Sequence, residues 1–185
     1  MNDPTLDLHG LDLSGRRFAE GTLNQSDLRD CKFCHCNFVR FDLRGVKVGG
    51  AEVENSVFED CSIALREGRV SVRESEFHGC ELWNADNASL EDCLIKGCTS
   101  EEVPWENLDL ARCAVNNCHF PLCEIRKSHL EGVKFNGCSL RGFIVSDSVL
   151  TDCSFEGCDA AEMLIVHCTL EGCKLPEGAE IRDCA

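Results

Sequence analysis

Cations are scarce in this chain of 185 residues: 18 Lys and Arg stand against 33 Asp and Glu, a formal net charge of −15. Phosphate groups would repel so acidic a surface, which argues against direct binding to nucleic acid or to an anionic membrane. Long apolar runs are missing too, and no stretch approaches the roughly 20 residues of a membrane-spanning helix. The opening residues, Met-Asn-Asp-Pro-Thr-Leu-Asp-Leu, lack the basic and apolar plan of a secretory leader. The expected location is the cytoplasm. Nucleophile elbows, phosphate-binding glycine loops and dinucleotide fingerprints are absent as well. The expectation is a protein that is not an enzyme and takes no metal or organic cofactor.

Neither the helix period of 3.6 nor the strand period of 2 runs through the sequence. A period of five does. Leu90, Leu110, Leu130, Leu150 and Leu170 fall twenty apart, with Ile95, Val115, Phe135, Phe155 and Leu175 between them. Phe120, Leu140 and Ala160 make a third set, and Trp105, Ile125, Val145 and Ile165 a fourth. Two positions before most of these centres stands a small or sulfur-bearing residue, most often Cys. An unbroken internal repeat of this kind decides the fold.

The units Ser-Asp-Leu28-Arg-Asp, Cys-Lys-Phe33-Cys-His, Cys-Asn-Phe38-Val-Arg, Cys-Ser-Leu140-Arg-Gly and Cys-Ser-Phe155-Glu-Gly resemble the pentapeptide-repeat family. The likeness runs from about Leu6 to the C-terminus. It implies an all-β, right-handed quadrilateral β-helix, four units to a coil and about eight coils, as one domain over 1–185. The residues support this independently. Inward positions must be apolar because a narrow interior holds no water for unpaired polar groups. The position two earlier must be small because both side chains point into the same square. Coils stacked at the strand spacing of roughly 4.8 Å bring residues twenty apart into ladders.

Fifteen of the sixteen cysteines occupy the small inward position; Cys34 alone is outward. Cys31, Cys34 and Cys36 therefore do not converge on a metal, and packing as small hydrophobes accounts for the set. Stacked thiols could reach disulfide geometry in an oxidising compartment, a further reason to expect a reducing one.

The register breaks between Ile63 and Phe77 and again between Leu82 and Leu90. Extra residues leaving the wall predict bulges or loops near 64–71 and 83–88. The segment 99–108 keeps the count but carries Pro104, Glu101, Glu102 and Glu106. It is either a strained wall or a projecting acidic tip, with Trp105 turned in or out. Arg16, Gly21 and Phe41 sit poorly at small positions and predict a distorted first coil. After Leu175 no helix covers the backbone edge, which would let two rods pair there as a homodimer.

Outward acids follow one ladder: Glu91, Asp92, Glu131, Asp152 and Glu171, interrupted by Arg112. The resemblance implies a role for them. Family members of the Qnr and MfpA type are acidic rods that imitate duplex DNA and protect DNA gyrase and topoisomerase IV from quinolones. The alternative is an acidic interaction scaffold for an unrelated partner, using Trp83, Trp105 and the tip at Glu101 and Glu102.

Overall fold

The structure, a computed structural model, describes residues 5–66, 68–100 and 104–185. Among them the chain forms short parallel strands and no helix, so no helix is long and apolar enough to cross a membrane. The strands wind into a four-sided β-solenoid. The first side stacks eight strands, from Lys32–Cys34 to Thr169–Glu171, and the second stacks eight from Arg17–Ala19 to Ser154–Glu156. The third side has the strands Asp42–Lys47, Ser62–Arg66 and Glu81–Asn84, then continues as single bridges from Thr99 through His119 and Ser139 to Asp159. The fourth stacks five, from Pro104–Glu106 to Glu180–Arg182.

Each side follows from the five-residue unit. The centre residue points in, its two neighbours point out, and the next residue turns the corner with a left-handed φ, as at Asp92 (54°), Arg112 (52°) and Asp152 (53°). That conformation is costly for most side chains but tolerated by Gly, Asn and Asp, which explains their recurrence there. Centres then stack directly. Phe18, Phe38, Phe58 and Phe77 lie with ring centroids 4.5, 4.7 and 4.8 Å apart and planes within 7° of parallel. Those separations match the strand spacing, so the backbone rise sets the aromatic stacking.

The cysteines do more than fill volume. Cys80 Sγ donates to the Phe58 carbonyl at 3.4 Å, and Cys138 Sγ to that of Val115 at 3.3 Å. At the same position Ser56 donates to the Phe33 carbonyl at 2.9 Å and accepts from the Cys36 N–H, also at 2.9 Å. A weak donor at the small position thus reaches a carbonyl in the coil below. Phe41, a misfit on sequence grounds, is buried because Gly21 lies beneath it; a Cβ on Gly21 would meet the Phe41 ring at 2.8 Å. Large above glycine conserves the volume of the layer.

The two register breaks shorten their coils overall, which corrects the expectation of extra residues near 64–71, but a bulge does stand at Trp83, because Leu82 pairs with Ile63 and Asn84 with Ala64. Phe58 pairs with Phe77, 19 residues on, and Phe77 with Ile95, 18 residues on, where regular coils take twenty. The shortening begins on the third side, where Arg44 and Val46 pair with the consecutive residues Ala64 and Leu65. With residues missing rather than added, the chain cuts the corner of the square. Gly68 lies so close to the coil below that a Cβ would stand 2.5 Å from Gly49 Cα. Closer to the C-terminus, Ile181 stacks on Ile165 only 16 residues later, since the turn at 176–179 skips most of the third side.

Candidate functional site

The ladder through Glu91 is not continuous acid. Strand pairing aligns Glu91 with Ala111, then Glu131, Thr151 and Glu171. The corner positions beside it read Asp92, Arg112, Gly132, Asp152 and Gly172. Arg112 divides this wall in two. Its guanidinium donates through Nε and Nη2 to Asp92, both at 2.8 Å, and pairs also with Glu91. The hydrogen bonds from Arg112 hold the Asp92 carboxyl below its ordinary 3.8, and Asp92 and Glu91 in turn raise the guanidinium. Glu91 and Asp92 share this one cation, so the three side chains together keep a single net negative charge.

Glu131, Asp152 and Glu171 are different. They occupy three successive coils, and among the described residues no cation lies within ion-pair distance of any of them. The Asp152 carboxylate lies against Gly172, where a Cβ would approach its Oδ1 to 2.2 Å. Asp152 also lines a shallow groove with Glu156, Lys134 and Lys174, so two lysines border the column. These are three unpaired carboxylates on successive coils, Glu131 and Glu171 in one ladder with Thr151 between them and Asp152 one residue aside at the corner. Some acids elsewhere are answered locally, Asp27 by Arg29, Asp42 by Arg44, Glu106 by Arg126 and Lys127, and Glu162 by Arg141, while others such as Glu59, Asp60, Glu74 and Glu156 also have no ion pair among the described residues.

The other sequence candidates lie apart from this column. Trp105 is buried, 6% exposed, with its ring edge-on to Phe120 at 5.3 Å. The inward orientation holds, which corrects its assignment as a partner-binding anchor. Trp83 is 43% exposed, but it stands on the third side, opposite the column on the first. It borders a groove of about 270 Å³ with Glu81, Leu82, Thr99 and Ser100. Glu101 and Glu102 lie outside the described residues. No single flat surface gathers all the candidates. What the sequence missed is the pairing by Arg112, and its position at the corner, twenty residues after Asp92, carried that signal.

Removing that pairing has an expected outcome. Because the folded-state pKa of Asp92 is depressed, its stabilising contribution is full above the unfolded value and is lost as pH falls through the folded one. Arg112→Ala should raise the Asp92 midpoint toward 3.8 in a carboxyl-carbon NMR titration. An unchanged midpoint would refute the pairing.

Among known proteins, the chain matches the family described as "Right handed beta helix region" over residues 21–175. No curated protein matches it. Three similar solved structures show the range of its likenesses. HetL, a pentapeptide-repeat protein involved in heterocyst differentiation regulation from Nostoc sp. strain PCC 7120, is 13% identical, with 96% of this chain and 87% of that one covered and a TM-score of 0.40. Full-length QnrB1, a plasmid-mediated fluoroquinolone resistance protein, is 12% identical, with 94% and 92% covered and a TM-score of 0.47. Rfr23 from Cyanothece 51142, another pentapeptide-repeat protein, is 13% identical, with 94% and 90% covered and a TM-score of 0.27. With five-residue units on four sides and the family match spanning most of its length, the chain belongs to the right-handed β-helix family and has the pentapeptide-repeat fold.

Proposed function

We propose that this chain is a non-enzymatic cytoplasmic protein that imitates the charge of duplex DNA. It docks in the basic groove of a type II topoisomerase, DNA gyrase or topoisomerase IV, and protects the enzyme from inhibitors such as quinolones. The observation that carries this reading is the column Glu131, Asp152 and Glu171, one carboxylate without an ion pair on each of three successive coils. Its rise of roughly 4.8 Å is comparable to the phosphate spacing of about 3.4 Å along one DNA strand. A groove built to attract phosphates would attract such a rod and steer its approach. The pentapeptide-repeat resemblance supplies the partner class. Two copies joined through the Glu180–Arg182 strand would lengthen the column.

A second reading, an interaction scaffold for an unrelated partner, is favoured by the exposed Trp83 and its groove. A supercoiling assay separates the two. Titrating the protein into gyrase with a quinolone should restore supercoiling, and Trp83→Ala should protect as well as the parent. Absence of any effect at large molar excess would sink the topoisomerase reading. Loss of protection in Trp83→Ala would move the contact to the third side.

A further inference from the structure

Three pairs of cysteines in the C-terminal coils share one arrangement. Cys158 stacks on Cys138, Cys173 on Cys153 and Cys184 on Cys168. In each pair the residue after the upper cysteine donates its N–H to the carbonyl of the lower one: Asp159 to Cys138 at 2.9 Å, Lys174 to Cys153 at 2.8 Å and Ala185 to Cys168 at 3.0 Å. The rotamers match as well. Cys153 Sγ donates to the Leu130 carbonyl at 3.4 Å and Cys173 Sγ to the Leu150 carbonyl at 3.3 Å, the same contact one coil on. For the third pair the Cys168 N–H reaches Cys184 Sγ directly at 3.4 Å.

Parallel in-register pairing sets the Cα atoms of each pair about 4.8 Å apart. That lies inside the range a disulfide spans, about 4.4–6.8 Å. A disulfide also needs Cβ atoms about 3.5–4.5 Å apart, so closure needs rotation about χ1 and a small local approach of the two coils. Accessibility then separates these pairs from the rest. Cys158, Cys173 and Cys184 are half-buried, whereas their partners Cys138, Cys153 and Cys168 are buried. In the stacked pair Cys93 and Cys113, and in the ladder Cys61, Cys80, Cys98 and Cys118, every member is buried.

We propose that Cys138/Cys158, Cys153/Cys173 and Cys168/Cys184 are sites of oxidative modification that close to disulfides between adjacent coils under a peroxide. The outer thiol meets the oxidant first. Its sulfur attacks one peroxide oxygen, the O–O bond breaks, and a sulfenic acid and one water form. The buried thiol then attacks the sulfenic sulfur, its proton and the hydroxyl leave as a second water, and the S–S bond forms. Two thiols are oxidised by two electrons and one hydrogen peroxide is reduced to two waters. Burial pushes the Cys153 thiol up to about 11, which keeps it protonated at neutral pH. The bonds would staple adjacent coils of the solenoid.

The test is peroxide treatment of the native full-length Cys34→Ser protein, which removes the outward thiol, followed by peptide mass spectrometry. The expected result is loss of two hydrogens at each of the three pairs and none at Cys93/Cys113. Unfolding should shift to higher temperature and return on adding a thiol reductant. Cys173→Ser should leave Cys153 free while the other two pairs still close, which guards against a variant that merely misfolds. Unchanged thiols at Cys158, Cys173 and Cys184 would overturn the proposal. So would bonds formed as readily at Cys93/Cys113, or links only between molecules.

Discussion

Replacing Phe38 by alanine should destabilise the protein by about 3–5 kcal/mol, the range for truncating a buried aromatic side chain. Phe38 is 2% exposed and is sandwiched between Phe18 and Phe58, with Phe33 and Phe41 meeting its edges. Its removal forfeits burial and both stacking contacts, and leaves a void that the neighbouring coils fill only partly. Contacts in a solenoid reach no further than the adjacent coil, so the loss should be felt locally. Hydrogen exchange should show the coils around Phe18 to Phe58 opening first, with those around Leu130 to Ile165 still protected. Urea unfolding of both proteins gives the size of the effect. A loss below about 1 kcal/mol would mean the rings are not packed as described.

The double variant Glu131→Lys/Asp152→Lys should bind gyrase far more slowly at low salt, by about 10- to 1,000-fold in association rate. Both side chains point to solvent and neither has an ion pair, so the melting temperature should stay near that of the parent. The difference should shrink as salt rises, because exposed charges separated by more than a Debye length of about 8–10 Å are screened. The control is Glu124→Lys/Asp159→Lys, which changes net charge equally but lies on the fourth and third sides. Equal slowing in the control would assign the effect to net charge and dismiss the column. No slowing in either variant would sink the topoisomerase reading.

The repeat itself was legible because each inward position is read independently. Leu130, Phe135, Leu140 and Val145 announce one coil without reference to any other. Cys98, Cys118, Cys138 and Cys158 fall into a ladder from numbering alone, and all four face inward in the structure. Phe41 over Gly21 was not legible, because it depends on two residues in different coils compensating each other in volume. The register breaks were visible as places but not in sign. Counting from Ile63 to Val72 shows one residue too few, yet only the pairing of Phe58 with Phe77 and of Phe77 with Ile95 shows a coil that tightens.

The candidate surface divided in the same way. Sequence placed Glu91, Asp92, Glu131, Asp152 and Glu171 on one side, because the period of twenty fixes which residues share a wall. Whether those carboxylates are free depends on what stands beside them in space. The tertiary structure decided that Arg112 pairs with the first two and that the last three have no ion pair. It also put Trp83 on the opposite side and turned Trp105 into the core. By itself the sequence determined the solenoid and the side that most residues occupy, because the period of twenty repeats in all but a few coils. The tertiary structure alone decided which charges remain unpaired, because pairing is set by the reach of side chains between coils and not by their order in the chain.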